Sequence, residues 1–232
     1  MNNNPGNLER AFVLHRRPFS DSSLLLETLT PEYGRQPELA KGARRRSGFG
    51  QLQPFVPLWI SWRGRGEVKT LTTVDVRGSA FSLADKRLYC AMYLTELTAR
   101  MTPRGDSCEG LFGAYERSLT ALSDGGEIEP LLRGFELDML DELGYGLMLT
   151  HTSEDEAVEA DTRYEYGPDV GPSRARAFVG STVHGKTLLA MARRDFSDPG
   201  VRRESLLLMR RILDFHLGYT ALKSRELFAR NR

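Results

Sequence analysis

Cysteine is scarce in this sequence: Cys90 and Cys108 are the only two in 232 residues. Both fall in stretches with helical periodicity, with no second CxxC and no HxxxH nearby, which excludes a disulfide scaffold and argues against a structural zinc site. Hydrophobic runs are short. None approaches the roughly 18 apolar residues of a spanning helix, and the opening MNNNPGNLER holds no apolar core of a signal peptide. The expectation is a cytoplasmic protein that does not enter a membrane. Histidine is sparse as well: His15, His151, His184 and His216 each lie in a different predicted element, and no Ser-His-Asp arrangement can be read from them. Internal repeats and low-complexity tracts are lacking.

Net charge is close to nil, +1, yet its distribution is uneven. Residues 1–80 carry 12 Lys and Arg against 7 Asp and Glu, residues 81–170 carry 7 against 19, and residues 171–232 carry 13 against 5. That asymmetry suits a basic face for a polyanion and an acidic region turned away from it or toward a protein partner. A hydrophobic fraction of 40% with 27% charged residues belongs to a folded globular chain.

The densest signal is residues 40–71, AKGARRRSGFGQLQPFVPLWISWRGRGEVKTL, with seven cations against one acid. Lys41, Arg44, Arg45 and Arg46 form one basic knot. Arg63, Arg65 and Lys69 surround a Gly-rich turn after an apolar run. A two-stranded ribbon tipped with cations grips a phosphate backbone, because each neutralised phosphate releases counterions. The first function to test is therefore nucleic-acid binding.

Period-two and apolar runs predict strands at 11–16, 23–29, 35–40, 55–62 and 68–76, the last placing Val68, Thr70, Thr72, Val74 and Val76 on one face. Five short strands without a full-length helix point to a small barrel of the OB-fold type. The period then becomes helical, with helices at 83–101, 111–122 and 128–143 expected to bundle on the barrel. In the third, Leu132, Phe135, Met139 and Leu143 point inward. An acidic loop at 151–161, a hairpin from 164–166 and 175–179, and a short helix at 186–194 follow. A long final helix has Leu206, Met209, Leu213 and Leu217 as its core stripe and Arg203, Arg210 and Arg211 as a basic face. The predicted class is α+β: an N-terminal OB-fold β-barrel over residues 1–79, followed by an α-helical domain over 80–232 with a small loop-and-hairpin insertion near 150–182.

Three motifs compete with this reading. The pattern G-x-x-x-x-G-K-[ST] spans Gly180, Gly185, Lys186 and Thr187, as in a phosphate-cradling loop. Such a fold needs a parallel sheet and a later strand ending in a magnesium-binding Asp, and the 45 remaining residues read as helix. A nucleotide hydrolase stays as an alternative. Glu136, Asp138, Asp141 and Glu142 could bind metal only by converging on one ion, but on a helix they fan around the solvated side, so no metal, cofactor or catalytic residue is expected. Finally, Arg133 shares a helix face with Leu137 and Leu140. An exposed patch of that kind suits a peptide offering apolar side chains and a carboxylate; packing of both leucines on the barrel is the competing explanation.

Several segments together resemble the bacterial RecO family: RAFVLHRRPFSDSSLLLETLTPEYGR at 10–35, AKGARR at 40–45, LQPF at 52–55, GRGEVKTL at 64–71, YLTEL at 93–97, LRGFELDMLDELGYG at 132–146 and LKSREL at 222–227. They occur in the family's order over nearly the whole chain. The resemblance implies an OB-fold followed by a helical domain, with no catalytic residues. It also implies binding of single- and double-stranded DNA, annealing of complementary strands, and docking on the C-terminal tail of single-stranded DNA-binding protein so that RecA can be loaded. RecR and, in many bacteria, RecF are the implied partners. Lys41, Arg44, Arg45, Arg65 and Lys69 then fall on the DNA surface, with Arg35, Arg46 and Arg63 beside them and Arg203, Arg210 and Arg211 as a further face. Arg133, Leu137 and Leu140 become candidates for the protein tail. Some relatives carry a four-cysteine zinc module after the LGY segment; residues 151–171 here contain no cysteine, so apolar packing must replace it. An OB-fold that prefers RNA remains the other binding alternative, since no residue visibly reads a 2′-hydroxyl.

Overall fold

Alternating apolar residues build five strands: β1 (Glu9–Pro18), β2 (Leu24–Thr30), β3 (Gly34–Ala40), β4 (Leu58–Arg63) and β5 (Lys69–Val76). In the computed structural model, which describes residues 7–45, 50–176 and 182–229, they close into a barrel in the order β1-β2-β3-β5-β4. Every neighbouring pair is antiparallel except β3 with β5, which is parallel. The β3–β5 ladder is short, Glu38 with Lys69 and Leu39 with Thr70, and the arrangement is OB-like, a partly open five-stranded barrel. Ala11, Val13, Leu26, Leu58, Ile60 and Trp62 fill the interior. The expected apolar face of β5 points there only through Val74, which packs on the core; Val68 and Val76 are exposed, and Leu71 from the other face is buried in it, because the β4–β5 register shifts between Ser61 and Trp62.

By its contacts the chain divides into two compact units, one of residues 1–125 and 222–232 and the other of residues 126–221. The first therefore joins the barrel to α1 (Asp85–Met101), α2 (Glu109–Ser123) and the final α6 (Lys223–Ala229). Phe12 of β1 turns outward from the barrel yet is fully buried, its ring 5.4 Å from Phe112 and 5.3 Å from Tyr115 of α2. Sequence periodicity did not reveal α6, a seven-residue helix too short to hold itself in water. It is held by α1: the Glu96 carboxylate accepts from the Lys223 N–H at 2.9 Å, the Ser224 N–H at 2.8 Å and the Ser224 hydroxyl at 2.7 Å. Burial works to raise the Glu96 pKa, but these hydrogen bonds outweigh it and the carboxylate sits below its ordinary value. Glu96→Ala is expected to cost about 1 kcal/mol, as loss of a helix cap does, and to accelerate amide exchange in α6 selectively. Unchanged exchange in that helix would show that packing alone retains it.

The second unit holds α3 (Ile128–Glu142), α4 (Gly185–Ala192), α5 (Pro199–His216) and a three-stranded antiparallel sheet. Its strands are β6 (Arg163–Gly167), β7 (Gly171–Arg174) and β8 (Val183–His184), in the order β7-β6-β8. Of the three helices expected to bundle on the barrel, α3 packs on α5 and belongs with this unit, whereas α1 and α2 belong with the first. Helix α5 starts where Asp198 accepts from the Gly200 and Val201 N–H groups, with Pro199 in the first turn. Its buried stripe is Val201, Ser205, Leu208, Met209, Ile212 and Leu213, whereas Leu206, expected in the core, is 42% exposed. No helix among the described residues is long and apolar enough to cross a membrane.

Candidate nucleic-acid interface

The two basic segments expected on one ribbon lie at different places on the barrel. Strand β3 ends at Ala40, paired with Leu24 at the start of β2, so Lys41, Arg44 and Arg45 emerge beside the β1–β2 turn. There the Arg44 N–H donates to the Ser22 carbonyl at 2.9 Å and its guanidinium donates to the Ser20 carbonyl at 3.1 Å. Arg45 closes a turn onto the Gly42 carbonyl at 3.0 Å. Arg46 lies outside the described residues. Arg63, Arg65 and Lys69 belong instead to the β4–β5 hairpin, with both arginines exposed and Lys69 half-buried opposite Glu38 of β3. None of these six cations forms an ion pair with a carboxylate among the described residues.

Arg35 is different. Its guanidinium donates to the Thr102 carbonyl at 2.8 Å and to Glu27 at 3.1 Å, leaving only 19% of the side chain exposed. It fastens the end of α1 to the barrel and has little charge left for phosphate. Two further arginines of this unit are also committed: Arg77 and Arg10 both face Glu116.

The β1–β2 turn supplies what reading the sequence missed. Arg16 and Arg17 are exposed at the end of β1, and Phe19 at the turn stands 63% exposed. Its backbone is held by Phe19 N–H donating to the Ser23 carbonyl at 3.1 Å. An exposed aromatic ring beside cations that answer no carboxylate is the arrangement on which unpaired bases stack while phosphates are neutralised. The missed signal was the run HRRPFS, whose aromatic lies two residues beyond paired arginines.

In the second unit, α5 presents Arg203 and Arg210 to solvent, with Arg211 half-buried and its pKa lowered by that burial. Leu206 and Leu207, the latter 56% exposed, lie between the two exposed arginines. Arg133, Leu137 and Leu140 do not form the expected surface patch. All three are buried, and Arg133 pairs with the fully buried Glu136 one helical turn away. An arginine and a glutamate three residues apart look solvated in sequence, yet here they neutralise each other inside the unit. Asp138 and Asp141 pair with Arg194 at 3.0 and 2.8 Å, and no group of three or more potential metal ligands occurs among the described residues.

The nucleotide-loop alternative is not supported either. Gly180 and its successor lie outside the described residues, but the motif's remainder runs through β8 of an antiparallel sheet. The Thr187 hydroxyl, which would have to face a magnesium ion, donates to Glu204 at 2.6 Å, and Glu204 also meets His184 Nδ1 at 2.5 Å.

Comparison with known proteins gives the family. The family model described as Recombination protein O N terminal matches residues 7–80, and that described as Recombination protein O C terminal matches residues 86–226. The chain belongs to the recombination protein O family. Among its relatives, the DNA repair protein RecO of Methylococcus capsulatus is 46% identical over 95% of this chain and 92% of its own length. The DNA repair protein RecO of Halorhodospira halophila is 44% identical over 94% of each chain, and that of Nitrosococcus oceani is 43% identical over 95% and 92%. Within RecO terms, the N-terminal match is the barrel just described, and the C-terminal match begins one residue into α1.

Proposed function

We propose that this chain is a DNA-binding recombination mediator of RecO type, without chemistry of its own, which binds single- and double-stranded DNA and anneals complementary strands. The observation that carries the reading is the cluster of Arg17, Phe19, Lys41, Arg44 and Arg45 at one end of the OB-like barrel. Its arginines and lysine can neutralise phosphates on two approaching strands, and bases not gripped by their edges stay free to pair. Membership of a family whose relatives are named DNA repair proteins supports DNA as the polyanion.

The partners implied for such a mediator are RecR, the tail of single-stranded DNA-binding protein, RecA and a RecF-type protein. Arg133 and its leucines cannot serve the tail from a buried position. The exposed Leu206 and Leu207 between Arg203 and Arg210 offer the apolar and cationic groups an acidic, hydrophobic tail requires.

Annealing of complementary oligonucleotides, bare or coated with single-stranded DNA-binding protein, tests the reading. Arg44→Glu with Arg45→Glu is expected to weaken DNA binding by about a hundredfold near 0.1 M salt and to reduce the salt slope by about two, one per lost phosphate contact. The double variant should fail on both substrates, and Arg210→Glu only on coated strands. Unchanged affinity and slope in the double variant would remove the barrel end from the DNA path.

A further inference from the structure

The first unit contains a groove of about 770 Å³ that the proposed DNA surface does not use. One wall is barrel, with Leu14 and Arg16 of β1; the other is helical, with Met92 and Arg100 of α1 and Lys223 and Leu227 of α6. Its lining is mainly apolar, and the volume lies in the range of preformed small-ligand clefts. Phe55 forms part of the lining in a left-handed backbone conformation, φ 67°. A bulky residue there is strained by about 1 kcal/mol or more and persists only where surroundings impose it. Here the Phe55 carbonyl is held by the Phe81 N–H at 3.1 Å. Opposite, Met92 of α1 is 41% exposed, an apolar side chain without full cover.

Charge around the rim separates the possible occupants. Arg16, Arg100 and Lys223 stand there with Arg35, against Glu27 and Glu96. Both acids are committed: Glu27 to Arg35 and Arg104, and Glu96 to the start of α6. Arg35 answers Glu27 and Arg100 faces Glu96, so Arg16, whose guanidinium donates to the Leu52 carbonyl at 3.2 Å, and Lys223 are the cations of the rim that answer no carboxylate there. Arg16 also ties the groove to the β1–β2 turn, since Arg17 and Phe19 follow it directly on that exposed end.

Resting on the DNA-binding reading above, we infer that this groove is a slot for an unpaired DNA base, which enters between Phe55 and Met92 while its flanking phosphates sit on Arg16 and Lys223. A base stacked on an aromatic ring gains affinity whatever its identity, so the slot favours single strands without reading sequence. In a duplex the bases are stacked and paired and cannot enter unless extruded. The slot therefore ranks single strands above duplex, whereas the outer cations serve both.

Titration of the full chain with a single-stranded oligonucleotide and with the matching duplex, at one salt concentration, tests this. Phe55→Gly removes the ring and relieves the backbone, and Met92→Glu places a carboxylate on an already exposed helix position; thermal melts establish that each variant is folded. Each is expected to lower single-strand affinity about tenfold, the scale of one lost stacking contact, while duplex affinity stays within twofold. The Arg44→Glu, Arg45→Glu chain loses both. If both groove variants bind single strands as the wild type does, the slot is overturned and the outer surface stands. If the wild type binds neither form, both readings fall. If a synthetic peptide of aspartates and phenylalanines binds the wild type, is lost in the groove variants, and DNA affinities do not change, the groove is a protein-docking site and the slot is likewise overturned.

Discussion

Glu38→Gln is expected to stabilise the protein above neutral pH and to flatten the dependence of its stability on pH. Glu38 lies on β3, on the same strand face as Gln36 and Ala40, and is fully buried. Among the described residues neither of its carboxylate oxygens has a hydrogen-bond partner, and the Gln36 side-chain oxygen is unpartnered too. Burial pushes its pKa up to about 8; the adjacent Thr28 hydroxyl opposes this only in part, being engaged with the Gln36 carbonyl at 3.4 Å. Between its ordinary value near 4.5 and about 8, the folded chain thus holds a proton that the unfolded chain has released. Stability is fully present below that ordinary value, falls as pH rises through the window, and levels off above about 8. The loss across the window is on the order of 5 kcal/mol. Glutamine cannot ionise, so the variant keeps what the wild type loses. Denaturant unfolding at pH 5, 7 and 9 checks it: the two chains should lie within about 1 kcal/mol at pH 5 and separate progressively thereafter, with the variant ahead. Parallel curves would mean that water or a cation reaches Glu38 in the native barrel.

That carboxyl also shows where sequence legibility ends. The five strands were readable because apolar alternation and turn chemistry are local. Each expected strand overlaps an observed one, and the OB-like closure followed from their number and spacing. The inward face of β5 was not readable, since a shift opposite Ser61 and Trp62 depends on the partner strand. Charge failed as a guide in a consistent way. Arg35 and Arg133 looked available, but each is joined to a glutamate, Glu27 and Glu136, and withdrawn from solvent. Lys41, Arg44, Arg45 and Arg65 stayed outside because their segments are turns with few apolar residues to bury, and Arg63 because it ends β4 at the hairpin. Phe19 was passed over since composition treats an aromatic as core; only the turn shows it facing water. Glu96 at α6 and the lining of the groove join residues more than a hundred positions apart, and no local pattern encodes that.

A second large effect is expected at Gly34, where β3 leaves the turn from β2. Its φ is +60°, and a Cβ there would fall 1.8 Å from the carbonyl oxygen of Asp106 and 2.8 Å from its carbonyl carbon. The obstacle is backbone, so no rotamer change relieves it. The segment that supplies it follows α1 and is sewn to the turn: Gly105 N–H donates to the Arg35 carbonyl at 3.1 Å, Cys108 N–H to the Pro31 carbonyl at 2.9 Å, and the Ser107 hydroxyl to the same carbonyl at 3.1 Å. Arg35 fixes the helix end through the Thr102 carbonyl. Alanine must therefore either adopt a left-handed conformation with the loop displaced, or break these bonds. A loss of about 3 kcal/mol is expected, among the larger values single substitutions give, with Tm lower by roughly 10 °C for a chain of this size. Asp106→Ala in the same background should recover nothing, because the clash is with the peptide carbonyl and not with the carboxylate. Recovery in that double variant, or a Tm within about 2 °C of wild type for Gly34→Ala, would mean the loop yields freely and does not hold α1 to the barrel.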